Sequence, residues 1–196
     1  VVISQIEHDS VYEAATHMFA PIGKVNIKDD FYTHFIHTKQ DGTIDVKHLE
    51  ELLNTDESIG LVSVMYVNNE TGAVNPINHI GEMCKERGIL FHTDCVQAAG
   101  CHAIDTNLIG CDYATISGHK IYAPKGIGAI YVRDKSMARS LIYGGSNQEF
   151  GLRGGTENVA SIVGLGKACD IICSDFGAQR VTVSLLKRLF YENVIS

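Results

Sequence analysis

Apolar residues recur along this chain at two periods, about two and about three and a half, and the switches between them outline a strand–helix order. The opening run VVIS (1–4) reads as a short strand, and Ser10 to Phe19 has helical spacing. Residues 24–28 (KVNIK) make a second strand, while 32–37 (YTHFIH) alternate like a strand with no evident place in a sheet. Val46, Leu49, Leu52 and Leu53 recur at helical spacing over 46–53, with Asp45 as the candidate cap. LVSVMYV (61–67) is nearly continuous in apolar character, as suits a parallel strand covered on both faces. Pro76 opens and Gly88 closes a helix over 76–87. ILFHTD (89–94), CDYATIS (111–117) and GIGAIYV (126–132) supply three more strands. Gly144 to Asn158 reads as loop, followed by two helices over about 158–174 and 179–193.

Short strands separated by helices imply βαβ units, hence an α/β, three-layer fold with a mostly parallel central sheet and flanking helices. Ligands of such sheets collect beyond the carboxyl ends of the strands. Chemistry is therefore expected at Asn68-Asn69, at Asp94 and at Ser117–Lys120, each just past a predicted strand.

Composition narrows the partners. The 196 residues are 45% hydrophobic and 20% charged, with a net charge of −7 from 16 basic and 23 acidic side chains. Nucleic acid and anionic membrane surfaces normally require a basic face, so neither is expected as the main partner. No apolar run approaches the roughly 18–20 residues of a membrane span. The opening VVISQIEHDS has no basic start or long apolar stretch, so no signal peptide is expected. A start on Val inside a strand, and an end inside an amphipathic run, suggest an excised piece of a longer polypeptide. The six cysteines (Cys84, Cys95, Cys101, Cys111, Cys169, Cys173) contain no C-x2-C pair, and they read as reduced structural thiols of a cytoplasmic protein.

The polar residues at strand ends each admit two readings. Asp94 either caps the following CVQAA or serves as counter-ion to a buried cation such as a protonated pyridine nitrogen. Lys120 is either solvated or, partly desolvated beside Ser117 and His119, a nucleophile toward carbonyls. Ser117 and His119 offer donors of the kind a phosphate takes, and Gly118 lets backbone approach closely. Thr156 and Asn158 are candidate helix caps, and Arg153 is either an anion clamp or a surface residue. No G-x-x-x-x-G-K-[ST] or G-x-G-x-x-G loop is present, which weakens a nucleotide-binding reading. His92 and Asp94 lack a third metal ligand at a recognisable spacing, so no metal site is expected.

Tyr66-Val-Asn-Asn-Glu-Thr-Gly72, His92-Thr-Asp-Cys-Val-Gln97, Ser117-Gly-His-Lys-Ile-Tyr122 with Pro124-Lys-Gly-Ile-Gly128, and Arg153-Gly-Gly-Thr-Glu-Asn158 together resemble the cysteine desulfurases. These belong to the class V aminotransferase group of fold-type I enzymes that depend on pyridoxal 5'-phosphate. Ile6-Glu7-His8 matches the histidine motif of that family, and the similarity runs in order from residue 1 to about 175. The resemblance implies that Lys120 carries the cofactor as a Schiff base and then moves protons. It implies that Asp94 pairs with the ring nitrogen, and that His8 stacks on the ring and takes part in acid–base steps. Gln97 and Asn69 approach the phenolic oxygen and the substrate, Ser117 and His119 bind the phosphate, and Thr156 reaches the neighbouring subunit's phosphate in a homodimer. The implied reaction converts L-cysteine to L-alanine, with sulfur passed to an enzyme cysteine as persulfide and then to an acceptor protein, as in iron–sulfur cluster assembly.

On the same resemblance, residues 1–175 are the central part of the cofactor-binding large domain, and 176–196 lead toward a C-terminal small domain. The relatives' catalytic cysteine and carboxylate-binding arginine fall downstream of Ser196, and their phosphate-wrapping loop falls upstream of Val1. Cys95 is read as packing, this piece alone is expected to be inactive, and Ala123 stands where relatives often have Gly. Selenocysteine lyase, another class V aminotransferase and a catalytically silent relative stay open as alternatives.

Overall fold

The computed structural model describes residues 1–17, 32–145 and 147–194. Its strands are β1 (Val2–Ser4), β2 (His34–Ile36), β3 (Leu61–Ser63), β4 (Leu90–Asp94), β5 (Tyr113–Ser117) and β6 (Gly128–Val132). They form one sheet in the order β2-β1-β3-β4-β5-β6. All pairs are parallel except β5 with β6, which run antiparallel. The helices are α1 (Asp9–His17), α2 (Val46–Thr55), α3 (Ile77–Arg87), α4 (Thr106–Ile109) and α5 (Val159–Val194). The mostly parallel α/β sheet with flanking helices is the architecture expected from the pattern.

Side chains alternate across each strand, so the register assigns two faces. Val62 pairs with Phe91, and Thr93 pairs with Ala114. This face joins Val2, Ile36, Val64 and Cys95 in the main apolar core, with Leu49 and Leu53 of α2 and Ile77, Ile80 and Cys84 of α3. The other face carries Ser63, His92, Asp94, Thr115 and Ser117, a polar row leading to the carboxyl ends of the strands.

Local chemistry explains the helix limits. Asp45 accepts from the Lys47 N–H at 3.0 Å and the His48 N–H at 3.4 Å, capping α2. Gly88, at φ 67°, closes α3 with its N–H on the Cys84 and Lys85 carbonyls.

Several expectations need correction. The segment 32–37 finds its place as β2, the parallel neighbour of β1. Of 61–67 only the first three residues are strand; beyond them Val67 bridges Val74 and the chain turns back. Pro76 caps α3 rather than opening it. The two C-terminal helices are one, α5, of 36 residues. Gly177 falls between the two predicted stretches, and a helical glycine costs only about 1 kcal/mol, too little to end a helix by itself. Despite that length, no helix among the described residues is long and apolar enough to cross a membrane. The predicted strand 24–28 and the end of the first predicted helix lie outside the described residues.

Candidate active site

Four parallel strands, β1, β3, β4 and β5, end on the same edge of the sheet, and the polar candidates follow from those ends. At a strand spacing of about 4.8 Å, this row spans about 14 Å. Asp94 is the last residue of β4 and lies opposite Thr115, two residues before Ser117. It is buried, and its Oδ1 accepts the Val96 N–H at 2.8 Å. That bond is the capping role anticipated for it, here in a turn rather than a helix.

Lys120 stands on a one-turn 3₁₀ helix, Gly118–Ile121, directly after β5. The turn is tied to its own first carbonyl: Tyr122 and Ala123 both donate N–H groups to the Gly118 oxygen. Tyr122 is forced to φ 65°, a left-handed conformation uncommon outside glycine. Gly118 is obligatory, because a Cβ there would lie 2.8 Å from Ile127 Cγ2 and 2.9 Å from the Ile127 oxygen. The close approach read into Gly118 is therefore to its own chain. Ile121 is buried and anchors the turn, while His119 and Lys120 are exposed. Ser117 Oγ and His119 Nδ1 meet at 2.9 Å, presenting one polar pair beside the lysine.

His8 lies on the turn after β1, exposed, with Nδ1 engaged by the Ser10 hydroxyl at 2.9 Å and the Ser10 N–H at 3.1 Å. Asn69 is exposed and Gln97 half-buried, both past strand ends. The neighbouring Asn68 is the organiser: its Nδ2 donates to the Ile6 carbonyl at 2.9 Å, and its Oδ1 accepts from the Glu70 and Thr71 N–H groups. It thus ties the His8 turn to the loop that presents Asn69. Thr156 lies outside this row, in the exposed loop before α5; the α5 cap is Asn158, whose Oδ1 accepts the Ser161 N–H at 3.3 Å. Arg153 is exposed and donates to the Gly154 carbonyl.

Sequence reasoning passed over Glu7. It is buried, its Oε1 accepts from the Ser4 hydroxyl and, at 2.8 Å, from the Met65 N–H, and burial pushes its pKa up to about 7. An acidic residue at a strand end beside apolar Ile6 was the one available signal.

His92 is held between the Ser63 hydroxyl at 2.7 Å and the Thr115 hydroxyl at 3.3 Å, one step behind Asp94 on the same face. Burial lowers its pKa, so it rests as a neutral polar link. Among the described residues no group of three or more His, Cys, Asp or Glu is placed to hold a metal ion. All six cysteines are free thiols. Cys84 and Cys95 are buried, and desolvation pushes both up to about 12, which removes the thiolate that nucleophilic chemistry needs. Cys95 is a packing residue.

These residues fit pyridoxal phosphate. Asp94 is a buried carboxyl beside which no Lys or Arg is buried among the described residues, so a cationic ring nitrogen supplies the missing complement. The adjacent strand end offers an exposed amine at Lys120 and, at Ser117 and His119, donors suited to a phosphate.

Comparison with known proteins agrees. The aminotransferase class-V family matches residues 1–189. A cysteine desulfurase IscS from Rickettsia rickettsii (strain Iowa) is 41% identical over 189 residues, covering 96% of this chain and 44% of that protein. The X-ray structure of a NifS-like protein from Rickettsia africae ESF-5 superposes with TM-score 0.80 at 35% identity, over 96% of this chain and 50% of that one. A structure of SspA in complex with cysteine superposes with TM-score 0.76 at 39% identity, over 86% and 46%. The chain spans about half the length of these relatives. It belongs to the class-V aminotransferase family, whose members work with pyridoxal phosphate.

Proposed function

We propose that this chain is the cofactor-holding part of a cysteine desulfurase. The protein takes L-cysteine, leaves L-alanine, and retains the sulfur on an enzyme cysteine as persulfide before handing it to an acceptor protein. The observation that carries this reading is the adjacency of Asp94 and of Ser117, His119 and Lys120 at two neighbouring parallel strand ends. The relatives named cysteine desulfurase support this chemistry over others on the scaffold, and SspA with bound cysteine supports L-cysteine as substrate.

When bound, pyridoxal phosphate supplies the electron sink that a carbanion at the substrate Cα requires. The chain supplies the rest. Lys120 would hold the cofactor through its Nζ, and the same amine would take and return a proton at the substrate Cα. Asp94 would pair with the protonated ring nitrogen. Ser117 and His119 orient the phosphate, and Asn69 and Gln97 flank the ring and substrate. His8, its Nδ1 fixed by Ser10, would stack on the ring. We propose a homodimer as the working state: large apolar side chains stand exposed at Tyr122, which closes the lysine turn, and at Leu141, Tyr143 and Phe150, in the stretch leading to Thr156.

The test is covalent trapping. After incubation with pyridoxal phosphate and reduction with borohydride, peptide mass spectrometry is expected to find the added mass on Lys120, with none on a Lys120→Ala variant. L-cysteine-dependent alanine release is then measured on the full-length protein. Label spread over surface lysines with Lys120 unmodified would overturn the assignment.

A further inference from the structure

Among the described residues only two carboxyl side chains are buried, Glu7 and Asp94. No Lys or Arg is buried with them. They sit at strand ends on the same edge of the sheet, Glu7 after β1 and Asp94 at the end of β4, with the segment after β3 between them. Backbone bonds link all three: Met65 N–H donates to Glu7 Oε1 at 2.8 Å, and Tyr66 N–H to the Asp94 carbonyl at 2.9 Å. The two oxygens of Glu7 are not equivalent. Oε1 accepts two hydrogen bonds, from Ser4 and Met65, whereas Oε2 is buried with no hydrogen-bond partner among the described residues.

A buried carboxylate with one bare oxygen and no cation is costly, and the inexpensive solution is to keep a proton. A carboxylic acid O–H on Oε2 leaves Oε1 as carbonyl acceptor, which matches the observed asymmetry. Two ionised carboxylates here would also repel each other in a poorly screened place, and only one ring cation is available to the pair. We propose that Glu7 is a positioning residue of the cofactor site: a protonated carboxyl that clasps the turn bearing His8 to the backbone after β3 and leaves Asp94 the sole buried anion. This rests on the cofactor reading above and extends it to a residue that touches neither substrate nor cofactor.

Burial pushes Glu7 up to about 7, and Asp94 adds to the rise. The titratable side chains nearest along the segments around Glu7 are Asp94 and His92 of β4, His8 of its own turn, Asp9 at the start of α1, and Tyr66 beyond β3. β1 and β3 themselves contribute none. The proton on Glu7 is thus exchanged within reach of neutrality, and above it the second charge works against the ring cation's pairing with Asp94.

Two variants and two readouts test this in the full-length protein. Glu7→Gln keeps a neutral group of the same shape, with an acceptor for Ser4 and Met65. Glu7→Leu keeps the bulk and removes the clasp. Infrared spectroscopy of the apoprotein, below pH 7, is expected to show a protonated carboxylic acid band that Glu7→Gln deletes. Retention of pyridoxal phosphate by wild type is expected to fall severalfold as pH rises through 7, relative to Glu7→Gln, which holds it at the wild-type low-pH level. Glu7→Leu is expected to lose retention by at least tenfold and to speed exchange of the Met65 amide. If wild type lacks the band, or tracks Glu7→Gln across pH, the proposal fails. A wild type that takes no cofactor at Lys120 overturns the function reading instead, while the band in the apoprotein still reports on Glu7.

Discussion

One carboxylate at the end of β4 closes a backbone turn and is proposed to hold a ligand, and the two uses separate experimentally. Asp94 Oδ1 closes a turn by accepting the Val96 N–H at 2.8 Å, a bond that an asparagine oxygen makes as well. Its negative charge serves no cation within the described protein. Asp94→Asn is therefore expected to leave stability within about 1 kcal/mol of wild type, because it removes a buried charge and keeps the turn. The same change is expected to weaken pyridoxal phosphate binding by about tenfold or more, roughly 1.4 kcal/mol, since an amide cannot hold a proton on the ring nitrogen. Thermal melting and an absorbance titration with the cofactor measure the two effects. Unchanged affinity with a lowered melting temperature would reduce Asp94 to a turn residue.

At the scale of elements, close backbone approaches rather than propensities fix the packing that supports this edge. Gly81 lies in the middle of α3, where alanine is intrinsically better by about 1 kcal/mol. A Cβ there would fall 1.8 Å from the Ile109 carbonyl oxygen at the end of α4, which is backbone and cannot swing away. Steric displacement wins: Gly81→Ala is expected to destabilise by about 2–3 kcal/mol in denaturant unfolding. Gly166→Ala in α5, with no atom within 4 Å of the new carbon, is expected to be neutral or to stabilise by up to about 1 kcal/mol. Equal effects at the two sites would refute the packing argument. Local chemistry such as the Asp45 cap, the Gly88 stop and the polar residues closing β4 and β5 was legible in the sequence, because each depends on residues a few positions apart. What was not legible depends on partners far along the chain. β2 becomes a strand by pairing with β1 across about thirty residues, and α4 is only four residues long although Asp105 and Gly110 cap it in the usual way. Glu7 looks like a surface acid until the register of β1 and β3 buries it under Met65.

For the whole molecule, two titratable groups shifted by desolvation set opposite slopes in stability against pH. Glu7 rises from an ordinary 4.5 to about 7 in the folded chain, so the native state holds a proton that the unfolded state releases. Its contribution is complete below about 4.5 and is lost as pH rises through about 7, by about 3 kcal/mol for a shift of this size. His92 is shifted the other way: half-buried and neutral, it binds its proton less tightly when folded than the ordinary 6.5. Its contribution is present above 6.5 and is lost as pH falls toward its depressed folded value. The two slopes overlap below 6.5 and oppose each other, so the wild-type profile is flattened there. Glu7→Gln removes one slope and leaves the other. Denaturant unfolding between pH 4.5 and 7 is therefore expected to show the variant gaining on wild type by about 3 kcal/mol as pH rises, with its own stability climbing as His92 sheds its charge. Parallel profiles for the two proteins would mean that Glu7 is ionised in the folded state, and with it would go the charge balance on which Asp94 depends.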